Sequence, residues 1–430
     1  MKSSPRATAA LLVRDWMANG RAPDLSIVAD SARRRVVTEI VLGTIRRYGT
    51  LKALRTHLAA REPAPAVEAV LLTSLYQLVY MEKKDQHAVV HEGVESAKAH
   101  AGAWAGPFVN AVLRRFSRER ESCLDWLSRQ PIHVRHSHPA ALIDRWRRGW
   151  TDSRIEELAD WNNAAPRVVI RVQRTHTTMP DFLAELSRTG IPVTPHPYAP
   201  DEFAILDRGI AVHDVPGYSD GWFVVQDAAA AISVSFLDVR PEHRVLDLCA
   251  APGGKTSALA DRMKGRGVLV AVDRRPDRLH LLRDTLSRLR LDTVRIEDAD
   301  GTDAGAMREL MNRHEVSGFD RILLDAPCTN TGVLRRRVEA RWRFSGKRLK
   351  SAARLQKQLL NTGAGLLAPG GILVYSTCSL EPEENAGMIS GWLRENPGFS
   401  LERSRLSIPP HRCMDGAFSA RIVRITQRER

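Results

Sequence analysis

The chain has too few cysteines, too widely spaced, for a disulfide framework or a zinc site. Cys123, Cys249, Cys328, Cys378 and Cys413 are scattered through 430 residues, and no C-x-x-C occurs. This pattern excludes zinc ribbons and fingers and suits a reducing compartment. No run is long and apolar enough to span a bilayer. The first thirty residues lack the apolar core of a signal peptide. A cytoplasmic, monomeric protein without membrane or metal partners is therefore expected. There is no internal repeat and no low-complexity segment. Glycine-rich phosphate motifs are missing too: G-x-G-x-x-G is absent, and Gly254-Lys255-Thr256 follows Cys249 where a P-loop needs glycine.

What the chain does have is positive charge. Lysine and arginine number 64 against 50 acids, a net charge of +14, and such a balance favours an anionic partner, nucleic acid first. Hydrophobic content of 43% beside 27% charged residues is ordinary for a soluble chain. The length allows two or three domains.

Three regions differ in pattern. Residues 1–130 read as all-helical, with apolar stripes at helical spacing. One is Val37, Ile40, Val41, Thr44, Ile45 and Tyr48; a second runs from Val67 to Val79; a third is Phe108, Val109, Val112, Leu113 and Phe116. Arg33-Arg34-Arg35, Arg46-Arg47 and Arg114-Arg115 at helix ends suit phosphate binding. Residues 131–235 are proline-rich and read as a small α/β module, with strands at Val168–Val172 and Phe203–Leu206 and a helix at Phe182–Leu186. Arg145, Arg147 and Arg148 interleave with Trp146 and Trp150, either as a base-stacking platform or as a helix with tryptophan in its core.

Residues 236–430 alternate strand and helix. Strands are expected at Val245–Leu248, Val268–Asp273, Val294–Glu297, Phe319–Asp325 and Gly371–Cys378, with helices at Lys255–Met263, Pro276–Arg288 and Ala352–Leu367. Alternation of this kind predicts a mostly parallel sheet covered on both faces, with ligands beyond the carboxyl ends of its strands. Polar or thiol groups follow every strand. Asp247 and Cys249 end the first, and Pro252-Gly253-Gly254 then turns sharply into a helix. Free N–H groups at such a turn suit an adenosine-like ligand without a polyphosphate. Asp273, 26 positions after Asp247, can accept hydrogen bonds from ribose hydroxyls or can cap a helix. Asp300 can face an adenine amino group, with Asp298 and Asp303 as rivals. Cys328 and Cys378 both sit at predicted strand ends, Cys328 close to Asp325. Paired thiols there suggest covalent chemistry, and helix N–H groups after Pro382 would help ionise Cys378.

Asp247-Leu-Cys-Ala-Ala-Pro-Gly-Gly-Lys-Thr256, Asp325-Ala-Pro-Cys328 and Thr377-Cys378-Ser379 with Pro382-Glu-Glu-Asn385 resemble the RNA cytosine-C5 methyltransferases. The stretches Arg35–Ile45, Leu75–Leu78 and Pro107–Arg114 resemble the RNA-binding NusB fold. Together they look like the Sun/Fmu (RsmB) ribosomal RNA type. The resemblance implies a NusB-like domain at 1–130, a linking RNA-binding module at 131–235 and a Rossmann-like methyltransferase domain at 236–430. It implies S-adenosylmethionine as methyl donor, held by Cys249, Ala250, Ala251, Pro252, Gly253, Gly254, Lys255, Asp273, Asp300 and Asp325, and ribosomal RNA, 16S in this type, as partner. It makes Cys378 the nucleophile, gives Asp325 a hydrogen bond to the cytosine ring and gives Cys328 a part in product release. A non-catalytic RNA-binding assembly factor with a degenerate methyltransferase domain is the alternative, and the intact acids and cysteines argue against it.

Two positions depart from the family pattern. Thr329 stands where serine is common, and Asp415-Gly-Ala-Phe418 where Asp-Gly-Phe-Phe is common. Neither is expected to touch the catalysts. The eight basic residues of 335–350, set against Glu339 alone, read as an RNA clamp.

Overall fold

The structure, a computed structural model, describes residues 4–81 and 85–425. It forms two compact units. One holds Met1–Ala165 with Leu334–Ser345, the other Pro166–Val333 with Gly346–Arg430.

The first unit is helical. The helix Pro65–Tyr80 is its centre, with Val67, Leu71, Leu72 and Leu75 fully buried. Asp30 caps Ser31–Arg46 by accepting the Arg33 N–H. That helix stops two residues before the expected stripe does, because the chain breaks at Arg47 and restarts as Tyr48–Leu58. Tyr48 instead packs edge-on against Trp16 and Trp342, with ring centroids 5.0 and 5.2 Å away. Trp146 is buried in the core, as the second reading of its segment held, while Arg147 bonds Asp144 and Asp152.

Segment Leu334–Ser345 lies within this helical unit, and its arginines do not all face outward. Arg341 is completely buried and donates to the carbonyl oxygens of Arg46, Ser137, Asn162 and Leu334 and to Asn163 Oδ1, at 2.9–3.3 Å. Arg335 donates to Ala164 and Ala165 carbonyls and stacks over Trp161. The clamp expectation fails for these two side chains: both are structural. Arg337, Arg343, Lys347, Arg348 and Lys350 remain exposed.

The second unit contains two sheets. The smaller is antiparallel in the order β2-β3-β1-β4, from β1 (Val168–Val172), β2 (Val193–Pro195), β3 (Phe203–Leu206) and β4 (Phe223–Val225). The larger has seven strands: β5 (Arg244–Asp247), β6 (Val268–Asp273), β7 (Arg295–Asp298), β8 (Phe319–Asp325), β9 (Leu367–Thr377), β10 (Phe399–Ser407) and β11 (Ala417–Arg424). Their order is β10-β11-β9-β8-β5-β6-β7. The run from β9 to β7 is parallel, and β11 and β10 add an antiparallel edge that the sequence reading had not placed.

Side chains alternate across this sheet as strand geometry requires. Leu246, Val270, Ile322, Leu324 and Leu373 face helices Ala304–Arg313, Gly346–Leu366 and Ala386–Glu395. Val245, Leu269, Leu323 and Val374 face helices Ala230–Leu237, Gly254–Met263 and Pro276–Arg288. With both faces covered, polar chemistry is confined to the strand ends. Among the described residues no helix is long and apolar enough to cross a membrane, and no cluster of His, Cys, Asp and Glu could hold a metal ion.

Candidate active site

β5 delivers Asp247 into a fully buried position, where its Oδ2 accepts the Thr256 hydroxyl at 2.7 Å. Its Oδ1 is buried without a partner. Burial pushes Asp247 up to about 7, against the Thr256 bond; Asp325 and Asp273 add to the rise. The chain then turns through Ala250–Gly253 into helix Gly254–Met263. Gly253 has φ +102°, and a Cβ there would lie 2.9 Å from Leu282 Cδ1. Glycine is thus required by the backbone and by the helix packed behind it.

Asp273, at the end of β6, holds this loop. Its carboxylate accepts the N–H of Ala251 at 3.2 Å and of Arg275 at 3.1 Å. Arg278 sits 3.5 Å from the same carboxylate and also bonds the Ala251 carbonyl. The three rivals after β7 separate by geometry. Asp303 caps helix Ala304–Arg313, and Asp298 is exposed at the strand end. Asp300 accepts Thr302 N–H and hydroxyl at 2.9 and 2.7 Å and faces Arg274 at 3.5 Å. The Thr302 N–H bond leads the effects that lower its pKa. Burial, reinforced by Asp273, Asp247 and Asp325, pushes the Cys249 thiol far up.

β8 and β9 are neighbours, so the turns after them meet. Lys255 Nζ lies 2.7 Å from Asp325 Oδ2. Burial works against the Lys255 charge, but Asp325, Cys378 and Asp247 outweigh it and raise its pKa. Cys328 Sγ and Cys378 Sγ are 3.2 Å apart, both free thiols and both partly exposed. Cys378 Sγ also donates to Asn330 Oδ1 at 3.1 Å. The hydrogen bond with Cys378, followed by burial, raises the Cys328 pKa well above the ordinary thiol value.

The backbone around Cys378 is fixed on both sides by Asn385, whose Oδ1 accepts the Thr377 hydroxyl at 2.6 Å and whose Nδ2 donates to Ser379 O at 2.8 Å. Pro382–Glu384 is a single 3-10 turn, and the helix proper starts at Ala386. Glu384, read from sequence only as a helix-start acid, is fully buried and bonds Thr329, Gln356 and Ser379. Nothing in the sequence alone separated it from Glu383. Arg171 was also missed: completely buried, it runs from β1 to Ser257 Oγ at 2.8 Å and Gln226 Oε1 at 2.8 Å, behind the Gly254–Met263 helix.

Residues 234–422 match the family 16S rRNA methyltransferase RsmB/F, residues 3–118 the NusB family, and residues 138–213 an RsmF/B-like ferredoxin-like domain. The chain is 36% identical over 399 residues to ribosomal RNA small subunit methyltransferase B of Pseudomonas putida, covering 92% of this chain and 89% of that protein. In fold it is similar to the crystal structure of PH0851, with a TM-score of 0.80 at 23% identity over 98% of this chain and 99% of the other. It also resembles the crystal structure of NSun6 from Pyrococcus horikoshii with SFG, with a TM-score of 0.60 at 19% identity over 67% of this chain and 99% of the other.

Proposed function

Since the chain belongs to the 16S rRNA methyltransferase RsmB/F family, we propose that it methylates carbon 5 of a cytosine in small-subunit ribosomal RNA, using S-adenosylmethionine and a covalent bond from Cys378 to the base. The observation that carries this reading is the pair of free thiols 3.2 Å apart, set beside the Lys255–Asp325 ion pair at the carboxyl ends of β8 and β9.

S-adenosylmethionine, when bound, supplies an electrophilic methyl group. The residues suit such a group. Asp273 retains acceptor capacity for ribose hydroxyls beyond its two backbone bonds, and Ala250 to Lys255 offer a turn with helix N–H groups. Asp273 and Asp300, with Asp325 beside Lys255, complement a cationic ligand.

Carbon 5 of cytosine is a weak nucleophile. Addition of the Cys378 thiolate to carbon 6 makes the ring an enamine whose carbon 5 can accept a methyl group. Ring nitrogen 3 takes up the proton that the Cys378 thiol gives up as the adduct forms, and Asp325, paired with Lys255 at 2.7 Å, accepts a hydrogen bond from it. Loss of the carbon 5 proton then expels the Cys378 sulfur. Cys328 is suited to this second step. The Cys378 sulfur 3.2 Å away favours its protonated form; once that sulfur is bonded to carbon, Cys328 can release its proton to solvent and, as thiolate, accept the carbon 5 proton. The target base must leave its stack to reach these groups. In the same reading, residues 1–130 and 131–235 hold RNA, and 236–430 carry the chemistry.

The test is transfer from labelled S-adenosylmethionine to ribosomal RNA or to DNA, with the product mapped as 5-methylcytosine. Absence of transfer to RNA overturns the proposal.

A further inference from the structure

Glu384 joins the two cysteine turns through one carboxylate. It is completely buried. Oε1 accepts the Thr329 N–H at 2.9 Å and Gln356 Nε2 at 3.0 Å; Oε2 accepts the Thr329 hydroxyl and the Ser379 hydroxyl, the latter at 2.5 Å. Thr329 directly follows Cys328, and Ser379 directly follows Cys378. A carboxylate has about four lone-pair sites, and donors fill all of them here.

Further bonds make the joint rigid. Gln356 also donates to Pro327 O at 2.9 Å, the carbonyl before Cys328. Ser379 Oγ accepts Glu381 N–H at 3.0 Å and lies 3.2 Å from Thr331 Oγ1. Thr331 Oγ1 accepts the Leu380 N–H at 2.9 Å. The Tyr375 hydroxyl donates to the Glu384 carbonyl at 2.6 Å, which ties the clamp to β9. An ion deep in protein is retained only when its hydrogen bonds offset lost hydration. The two turns that this carboxylate joins are the ones that carry the thiols.

We infer that Glu384 is a positioning residue: its carboxylate sets the separation and mutual aim of the Cys328 and Cys378 sulfurs. The catalytic meaning of that pair rests on the methyltransferase reading above; the spatial claim does not. Thr329 gains a role from it. Its hydroxyl and N–H supply half of the clamp, and serine, common at this position in the family, would supply the same two donors.

The experiment uses the full-length protein and a trivalent arsenical, phenylarsine oxide, which bridges two thiols only when they are close. Wild type should be captured rapidly, and Cys328→Ser at Cys378 not at all. Glu384→Gln, which places an amide N–H against donors, should slow capture about tenfold or more. Thr329→Val should slow it in the same sense, and Thr329→Ser should restore the wild-type rate. A purely structural glutamate would lower the melting temperature without this ordered pattern. If Glu384→Gln does not fold, Thr329→Val against Thr329→Ser carries the test. Capture of Glu384→Gln or of Thr329→Val at the wild-type rate overturns the inference, as does failure of wild type to be captured. Wild-type capture without methyl transfer to RNA overturns the proposed function and leaves the clamp standing.

Discussion

Cys328 and Cys378 lie fifty positions apart in the chain, and their sulfurs are 3.2 Å apart. The parallel pairing of β8 with β9 sets this relationship, since Asp325 lies opposite Ser376 and each cysteine follows within three residues. If the two thiols share one reaction, their substitutions must differ in kind. Cys378→Ser should abolish both methyl transfer and covalent RNA complex. Cys328→Ser should still attack and accept the methyl group but release slowly, leaving an RNA–protein adduct on a denaturing gel. The reverse pattern would exchange the two roles.

In the proposed chemistry Lys255 acts on the same step through Asp325. Lys255→Met removes the cation 2.7 Å from that carboxylate while keeping the chain's bulk. The rate of transfer should fall about a hundredfold or more, and Asp325→Asn should show a comparable loss. Single-turnover rates at saturating RNA and methyl donor separate this from weakened binding. A variant affected only in KM would place Lys255 in donor binding alone.

Asp247 gives the fold a pH dependence of known sign. Burial moves its carboxyl from 3.8 to about 7 in the folded state. Between those values the native protein holds a proton that the unfolded chain has lost. Unfolding there releases a proton, so stability falls as pH rises through this window and levels off above about 7. The upper limit for one such group is about 1.4 kcal/mol per pH unit. Denaturant midpoints at pH 5 and pH 8 should therefore differ by less in Asp247→Asn than in wild type. Equal differences in both proteins would remove Asp247 as the cause.

Gly332 and Gly416 show why backbone contact matters next to Cys378. Gly332 N–H donates to Cys378 O at 2.9 Å, and Gly416 N–H donates to Gly332 O at 2.8 Å. A Cβ on Gly332 would lie 2.5 Å from Gly416 O and 2.9 Å from Cys378 O. Gly332→Ala must push these segments apart, at a cost of about 1–3 kcal/mol in stability. Activity should fall more than stability accounts for, measured as kcat at a temperature where the variant is fully folded.

The parallel sheet was legible because its strands read as near-continuous apolar runs, and the acids and thiols then stood out at their ends. Helix Pro276–Arg288 has the bounds expected from its proline and its spacing. The edge strand β10 was not legible because it is largely exposed and rich in arginine and serine, which resembles a loop in sequence. Glu384 and Asn385 escaped for another reason. Glu381, Glu383, Glu384 and Asn385 can all cap a helix, and only the fold selects the three that turn inward and leaves Glu383 exposed. Arg171 and Arg341 were hidden by the same effect: a charged side chain gives no sequence signal of burial when its partners are backbone carbonyls and amides from distant segments.

Arg341 turns that last point into a measurement. Its guanidinium is buried against four backbone carbonyls and the Asn163 side-chain oxygen. Burial, with Arg46 and Arg47 nearby, lowers its pKa well below the ordinary value. Its planar fork satisfies several carbonyls at once, which the three donors of lysine cannot reproduce in one plane. Arg341→Lys and Arg341→Met should therefore both destabilise the helical unit, by about 3 kcal/mol or more, since each buried acceptor left unmade costs about 1–3 kcal/mol. Exposed Arg337→Met should leave the unfolding midpoint unchanged within about 0.5 kcal/mol. If that segment were only an electrostatic surface for RNA, the two classes of variant would be equally stable and would differ only in the salt dependence of binding. Calorimetric unfolding of the three variants in the absence of RNA decides between these outcomes.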